Sequence, residues 1–409
     1  MSARTRKKFL DTFKENEAFW MLCVQVFILH IGQSLIAPIL PLYAQKFAVS
    51  TTLVGFLITS QAIPRIFTSL PAGRLADRVG ANRLLAAASG IVTLSALGAG
   101  LAPNYGILLL TRLLQGFGSA ISHTAGLTYA ANVSQKGNRA RYMSIYQGSF
   151  LLGNSVGPAI GGITAEFFGY RAPFFIYTVV AFLVGVWMLL RLPDSRRTDE
   201  EVTSSTKEKT DFAGSMQSII AQPGVLLVSL IGLFAAYTRA GSRNMALALL
   251  GEELGLSESQ IGLTMTVIFI MTVLSLYIAG NLADRYGTKA ILVPSWLVLP
   301  IGLILLPAAQ NFGIFMLGAV IYGLAAGVGT PVPVAYIANV VREESQGIAL
   351  GFYRTLTDIG MLLGPVVMGW IGDRASIGTG VWVNAGLVLV VAILFYLFAP
   401  NPKKENEIA

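Results

Sequence analysis

The stretch Gly73-Arg-Leu-Ala-Asp-Arg-Val-Gly80 recurs as Gly280-Asn-Leu-Ala-Asp-Arg-Tyr-Gly287, and this recurrence decides how the chain is organised. The two copies are 207 residues apart, counted from position 73 to position 280. Three further landmarks share that spacing without a gap, namely Gly157-Pro158 with Gly364-Pro365, Gly55 with Gly262, and Gly116 with Gly323. Four landmarks in one register indicate a duplicated chain of two similar halves.

The composition predicts that lipid is the solvent for much of the chain. Of 409 residues, 54% are hydrophobic and 12% are charged, whereas about 25% of the residues of soluble proteins are charged. Twelve apolar runs of roughly the 20 residues needed to cross a bilayer follow one another. They lie at 19–43, 52–72, 84–102, 106–130, 143–165, 173–192, 223–249, 260–280, 290–308, 312–338, 348–371 and 379–399. The sequence therefore predicts an all-α membrane protein with twelve transmembrane helices in two six-helix halves.

Polar segments predict where the two halves of the chain meet and how the chain is oriented in the membrane. The one long polar stretch, 194–222, is interpreted as a cytoplasmic linker between an N-terminal half at 1–193 and a C-terminal half at 223–409. With the N-terminus placed inside, the inner segments hold about 21 Lys and Arg residues and the outer loops about 3. This bias predicts that both termini are cytoplasmic. The apolar run from Phe19 is too long for a signal peptide and is interpreted as an uncleaved first span.

The net charge of +8 does not indicate a nucleic-acid partner. Basic residues are spread over short loops rather than gathered in one patch, which argues against nucleic-acid binding. The single cysteine, Cys23, lies in an apolar run and is predicted to be an inert buried thiol. The sequence contains no metal-ligand spacing, phosphate loop or nucleophile motif, so we expect neither an enzyme nor a cofactor or metal.

Motifs in spans 4 and 5 and in the repeated segment carry a family resemblance. Span 5 contains Gly153-Asn-Ser-Val-Gly157-Pro158-Ala-Ile-Gly161-Gly162, and span 4 contains Leu109-Leu-Thr-Arg112-Leu-Leu-Gln115-Gly116. With these motifs the whole chain resembles the major facilitator superfamily, and within it the twelve-span drug–proton antiporters. That resemblance implies alternating access, in which the two halves rock around a central site. Ala81-Asn82 departs from the basic pair usual in the family at these positions.

The two copies of the repeated segment are interpreted as a cytoplasmic latch. Glycine allows tight backbone turns, and an aspartate can accept hydrogen bonds from the N-terminus of a neighbouring helix. The alternative is a generic solvated turn. The predicted latch residues are Gly73, Asp77, Arg78 and Gly80 in the first copy and Gly280, Asp284, Arg285 and Gly287 in the second.

The span 5 motif resembles the antiporter signature of the family. Its small residues allow close approach of another helix, and its proline bends the helix. The resemblance implies a pliable contact between the halves that favours exchange over symport, and a plain packing kink is the alternative. The motif residues are Gly153, Gly157, Pro158, Gly161 and Gly162.

Charged residues inside the predicted spans are candidates for the transport site, because such residues are costly in a membrane and are usually functional. Arg112 matches the family arginine that is linked to proton coupling, and its counterpart in the other half is Ala319. His123 shares its helical face and is either a cavity residue or a packing histidine. Arg239 is a candidate cavity residue, whereas Arg243 is either a second one or extends to the outer surface.

Asp358 is the one acid placed well inside a predicted span. Many drug antiporters carry an acid in span 1 or 4, and this chain has none there, so the proton-coupling role is assigned to Asp358. Arg354 lies one helical turn away and is either a cavity residue or the partner of Asp358 in a structural salt bridge. Arg65 is a second candidate partner for the carboxylate.

The sequence thus predicts proton-coupled efflux of small organic or drug-like molecules by a monomer in a bacterial inner membrane. One alternative is a uniporter or symporter of an anionic metabolite or lipid, and another is a non-transporting sensor with a transporter fold. Five arginines against one acid in the spans also predict that neutral or anionic amphiphiles are carried better than permanent monocations.

Overall fold

A computed structural model describes residues 17–133, 139–192, 222–329 and 331–401. These ranges are helical between short turns and contain no strand. The first half contains α1 Glu17–Leu35, α2 Leu40–Gln45, α3 Thr51–Ser60, α4 Ala62–Val79, α5 Ala81–Gly100, α6 Tyr105–Val133, α7 Arg139–Phe168 and α8 Ala172–Arg191. The second half contains α9 Pro223–Tyr237, a π-helix Thr238–Ala246, α10 Leu247–Glu253, α11 Glu258–Tyr286, α12 Thr288–Ala308, α13 Phe312–Val328, α14 Pro331–Val340, α15 Glu343–Arg374 and α16 Ile377–Phe398.

Nine helical stretches in the described ranges are long and apolar enough to cross a membrane. Each of the twelve predicted spans falls on one helix or on helices that follow one another, such as α3 and α4 for span 2. The predicted all-α membrane fold is confirmed, and the helices are consistent with twelve spans. The predicted linker lies outside the described residues except for its last residue, Gln222.

The duplication is visible in the packing. A methyl group added at Gly116 of α6 would collide with the backbone carbonyl of Gln61, between α3 and α4. A methyl group added at Gly323 of α13 would lie 2.8 Å from the backbone carbonyl oxygen of Ile268 in α11. Positions 61 and 268 are themselves 207 apart, so the same glycine contact is made in both halves.

The repeated segments are helix ends rather than open loops. Helix α4 continues through Gly73 to Val79 and then turns at Gly80, whose φ is 99°. Helix α11 continues through Gly280 to Tyr286 and turns at Gly287, whose φ is 94°. Only glycine adopts such φ values readily. The tight turn therefore falls at the last glycine of each copy, whereas the first glycine lies inside a helix.

Packing divides the chain into two compact units. The first unit holds α1 and α4 to α8, and the second holds α2, α3 and α9 to α16. Segment Pro38–Thr59 therefore packs with the C-terminal part of the chain, although its sequence belongs to the first six predicted spans. Within the second unit, Gly55 of α3 lies against the backbone of Pro365, the proline inside α15. The predicted domain boundaries at 193 and 223 stay predictions.

Gly360 offers a direct test of helix packing in the second unit. Its Cα lies against the backbone of Leu233 in α9, and an added methyl group would lie 2.8 Å from the Leu233 carbonyl carbon. We expect Gly360→Ala to destabilise the protein by about 1–3 kcal/mol, because backbone atoms cannot rotate away as a side chain can. Thermal unfolding in detergent should show a midpoint lower by a few degrees.

Gly386→Ala is the matched control, because nothing lies within 4 Å of a methyl group added there. An equal loss of stability in both variants would show that the contact with Leu233 is unimportant.

Candidate functional site

Arg112 lies in a buried polar cluster of the first unit. Its side chain is 7% exposed. One terminal nitrogen donates to Gln115 Oε1, and the other donates to Gln61 Oε1 at 2.7 Å. Tyr177 of α8 packs beside Gln115 and Arg112. The arginine is therefore held by neutral amides and a phenol, and no described carboxylate forms an ion pair with it.

Several buried nitrogen donors of the cluster lack a geometrically well-formed hydrogen bond to a described residue. Arg112 Nε, Gln61 Nε2 and Gln115 Nε2 are buried and have no hydrogen-bond partner within the described ranges. Buried unpaired donors are costly and are uncommon in natural structures. Gln25 of α1 was not identified as a candidate by sequence reasoning. Its side-chain nitrogen and oxygen are also buried and have no hydrogen-bond partner among the described residues. Its counterpart in the other half is Gly232, so the fold does not require a polar residue there.

The two histidines pack on one aromatic ring. The His30 ring lies 4.2 Å from the Phe150 ring, and its Nδ1 is 2.7 Å from the Val26 carbonyl oxygen. The His123 ring lies edge-on to Phe150 at 6.2 Å. These contacts favour the packing alternative for His123, whose assignment to the cavity stays a prediction.

Asp358 occupies the middle of α15, fifteen residues after Glu343 and sixteen before Arg374. Its side chain is exposed on a polar face of α15 that also carries Arg354 and Thr355. No ion pair joins Arg354 to Asp358 in the part of the chain that the structure describes, so the salt-bridge interpretation is not supported. Arg65, the other candidate partner, is exposed on α4 in the first unit.

Span 7 contains a π-helix that could not be recognised from the sequence. Thr238–Ala246 form this segment, which carries both Arg239 and Arg243. The Arg243 guanidinium lies 4.4 Å from the centre of the Phe269 ring in α11. It is therefore directed into the second unit and does not extend to the outer surface. π-Helical segments are rare and are frequently found at functional sites.

An aspartate at the end of α15 clamps the start of α3 within the second unit. Asp373 Oδ1 accepts a hydrogen bond from the Thr51 backbone nitrogen at 2.6 Å, and its Oδ2 accepts one from the Thr52 backbone nitrogen at 2.9 Å. The Thr52 hydroxyl also donates to Oδ2. The Leu53 nitrogen is capped by Ser50. Asp373 was missed, although its counterpart 207 residues earlier, Glu166, is also acidic.

Comparison with known sequences assigns the family. The sequence model described as Major Facilitator Superfamily matches residues 22–242 and 228–409, which together cover both halves. This chain belongs to the Major Facilitator Superfamily. The coarse function, small-molecule transport by a multi-pass membrane protein, follows from this membership.

Relatives of this major facilitator protein include two resistance proteins. Multidrug resistance protein 2 of Bacillus subtilis is 25% identical over 363 residues, covering 88% of this chain and 90% of that protein. Quinolone resistance protein NorA of Staphylococcus aureus is 24% identical over 388 residues, covering 92% and 96%. The predicted resemblance to drug antiporters is confirmed at this level.

The fold is also that of solved superfamily members. The crystal structure of a bacterial homologue of the human lysosomal transporter Spinster superposes with a TM-score of 0.76 at 15% identity. The match covers 94% of this chain and 96% of that one. At this identity the likeness shows the shared fold and nothing about the substrate.

The antiporter motif of this major facilitator chain packs within its own half. Gly153, Gly157 and Gly161 of α7 all lie against the backbone of α1, at Phe27, Ile31 and Leu35 respectively. Gly162 is buried, and Pro158 lies inside α7. The helix that these glycines approach closely is α1 of the same unit, and the implied contact between the halves stays a prediction.

The proposed latch is only partly covered by the structure. The side chains of Arg74, Asp77 and Arg78 lie outside what is described. Asp284 is exposed at the end of α11, and the Arg285 guanidinium lies 5.2 Å from the centre of the Tyr286 ring. The latch stays a prediction.

Of the described residues, no group of three or more His, Cys, Asp and Glu side chains is placed to hold a metal ion.

Proposed function

We propose that this major facilitator protein exports small organic or drug-like molecules in exchange for protons, by alternating access of its two six-span halves. The names of the relatives support export of drug-like compounds, since both are resistance proteins. Both termini are proposed to lie in the cytoplasm of a bacterial cell, and the protein is proposed to act as a monomer.

The observation that carries the proposal is the position of Asp358. Its carboxylate is at the middle of a 32-residue helix and is exposed on a face with two polar neighbours. A carboxylate at such a depth is favoured in its charged form when water reaches it and in its neutral form when it is enclosed. Alternate wetting and closure of that face would therefore load and release a proton.

Arg112 is proposed to assist from the first unit. The positive charge of the buried Arg112 guanidinium is not neutralised by its hydrogen-bond partners, which are both neutral amides. A negative charge that approaches Arg112 during the cycle would be stabilised, so the arginine couples the charge of the proton site to the conformation. The polar cluster is proposed as part of the substrate path, together with Arg65, Arg239 and Arg354, while Asp77 and Asp284 are proposed to hold the cytoplasmic latch.

Inside-out membrane vesicles provide the test. An acidic interior should drive uptake of at least one member of a mixed panel containing a quinolone, an organic carboxylate and an organic cation dye. A protonophore should abolish this uptake, and vesicles without the protein are the control.

The alternative of a uniporter or symporter gives a different result in the same vesicles. A uniporter only equilibrates the solute, and a protonophore leaves its rate unchanged. A symporter moves the solute out of the vesicle together with protons. Either result would contradict exchange.

A further inference from the structure

The π-helix of span 7 is held in place by contacts with two neighbouring helices, α15 and α16. Asn384 of α16 donates to the Thr238 hydroxyl at 3.0 Å and to the Ser242 hydroxyl at 2.8 Å. All three side chains are at most 1% exposed. Between them, Gly241 lies against the backbone of Gly364 in α15. The widened turn is therefore fixed by two neighbouring helices, which sets the direction of the side chains on its other side.

That other side carries two cations. Arg239, Arg243 and Asn244 are the only residues of the π-helix that are partly exposed, and the other six are buried. The two arginines are four residues apart and close enough for their charges to repel. Their counterparts 207 residues earlier are Gly32 and Ile36, so the shared fold does not require cations there. An arginine pair that costs stability and is not needed by the fold is a candidate binding site.

One aromatic ring packs on Arg243, and two tyrosines lie near the pair. Arg243 stacks on Phe269, and its Nε donates to Asn244 Oδ1 at 3.0 Å. Tyr322 of α13 lies within electrostatic range of both guanidinium groups, and Tyr353 of α15 lies within range of Arg239. The surroundings thus combine two positive charges with an aromatic wall, which suits a solute with an anionic group and an apolar body.

No protein acid neutralises the pair within the described ranges. Neither arginine forms an ion pair with a described carboxylate, and the Arg239 guanidinium has no hydrogen-bond partner there. Each arginine fork can donate two parallel hydrogen bonds to a carboxylate or phosphate. Because Asn244 occupies only Nε of Arg243, the terminal nitrogens of both forks are available to a ligand.

Depth favours a solute over a lipid headgroup. At about 1.5 Å per residue, Arg239 is roughly 24 Å from Pro223 at one end of span 7 and roughly 21 Å from Glu253 at the other. Arg243 is about 15 Å from Glu253. Headgroups lie near the ends of a span, so an anionic lipid would have to leave its normal depth to reach Arg239, the deeper of the two arginines.

We propose that Arg239 and Arg243 bind the anionic group of an organic solute, a carboxylate or a phosphate on an apolar body, with Phe269 and Tyr353, both partly exposed, contacting that body. This inference rests on the proposed transport function, since it names the substrate class that the transporter takes. It locates in the second unit the anion preference that the count of arginines in the sequence predicts.

The test is binding to the purified full-length protein by three probes with one skeleton. Phenylbutyrate, its neutral amide and phenylbutylamine are titrated calorimetrically into nanodiscs of zwitterionic lipid. The carboxylate should bind at least about tenfold more tightly than the amide, the usual difference for a charged hydrogen bond. Arg239→Gln and Arg243→Gln should each lose this preference. Arg342→Gln, which removes an exposed charge of the same unit, should keep it.

Each outcome decides the inference. If wild-type protein does not prefer the carboxylate, or if the double variant Arg239→Gln with Arg243→Gln still does, the assignment is wrong. Arg239→Lys retains the charge and should retain part of the preference, which separates a binding role from misfolding. Anionic lipid in the nanodisc should not compete with the probe, and strong competition would assign the site to a headgroup instead.

The binding test needs no proton gradient, so it can fail separately from the proposed function. Proton-driven transport without carboxylate preference would overturn the anion site alone. Carboxylate binding without proton dependence would leave the site intact and remove the proton coupling.

Discussion

Asp358→Asn is expected to abolish proton-driven accumulation while leaving downhill exchange of substrate intact. Asparagine has almost the same size as aspartate but cannot gain or lose a proton. In a one-for-one exchange of a neutral solute, a gradient of one pH unit can support about tenfold accumulation, because one unit is worth about 1.36 kcal/mol per proton. The variant should therefore show an accumulation ratio close to one at any pH gradient.

Inside-out vesicles measure both parts of this expectation. Uptake of a transported substrate is followed with and without an acidic interior, and exchange is followed separately with labelled substrate on one side. Thr355→Val is the matched control, since Thr355 is on the same exposed face and its hydroxyl bonds only to the Gly351 carbonyl of its own helix. A variant at Asp358 that still concentrates substrate under a proton gradient would remove this residue from the coupling.

Arg354 determines how the Asp358 result is interpreted. The two residues lie one turn apart on α15, and no ion pair joins them in the described structure. A free carboxylate near an arginine can change its protonation as water enters or leaves, whereas a tightly paired one would stay ionised. Because the pair is absent from the described structure, a loss of coupling in Asp358→Asn could not be explained by a broken salt bridge with Arg354.

The sequence predicted the features that depend on local pattern. Apolar runs placed all twelve spans on helices, and the repeat of Gly116 at Gly323 identified a contact that is made in both halves. The position of Asp358 could also be predicted, because counting along one helix is enough to give the depth of a residue. The repeated segments contain glycine at both ends, and the structure places the turn at the second of them, where the backbone has a positive φ.

Features that depend on contacts between distant residues were missed. The π-helix at Thr238–Ala246 is fixed by Asn384, which follows 146 residues after Thr238. Its sequence has no marker that separates it from an ordinary α-helical turn. The glycines of span 5 were correctly expected to allow a close approach, but the sequence could not show that α1 is the partner. Asp373 was missed because its partner Thr51 is 322 residues away.

The clamp between Asp373 and α3 has a direct consequence for opening on the outer side. By the predicted topology, α3 begins and α15 ends at the outer surface, so a path from outside along this edge requires the two to separate. The carboxylate satisfies two of the first backbone N–H groups of α3, which have no partner within the helix. If α3 and α15 separate, these N–H groups and the Asp373 carboxylate can form hydrogen bonds only with water.

Asp373→Ala is therefore expected to shift the protein toward states in which the start of α3 is free. The loss of a helix cap costs about 0.5–2 kcal/mol, and for this exposed group we expect about 1–2 kcal/mol, or a five- to thirtyfold larger open population. Asp373→Asn keeps one carbonyl oxygen and should fall between alanine and wild type. Hydrogen exchange of the Thr51 and Thr52 amides should become faster from wild type to Asp373→Asn to Asp373→Ala. Labelling of an introduced cysteine from outside should increase in the same order.

Arg374→Ala is the matched control. It removes the neighbouring exposed charge, which stacks on Trp370, and it leaves the clamp intact. Equal exchange in Asp373→Ala and wild type, or an equal increase in Arg374→Ala, would show that the carboxylate does not hold the outer end of α3.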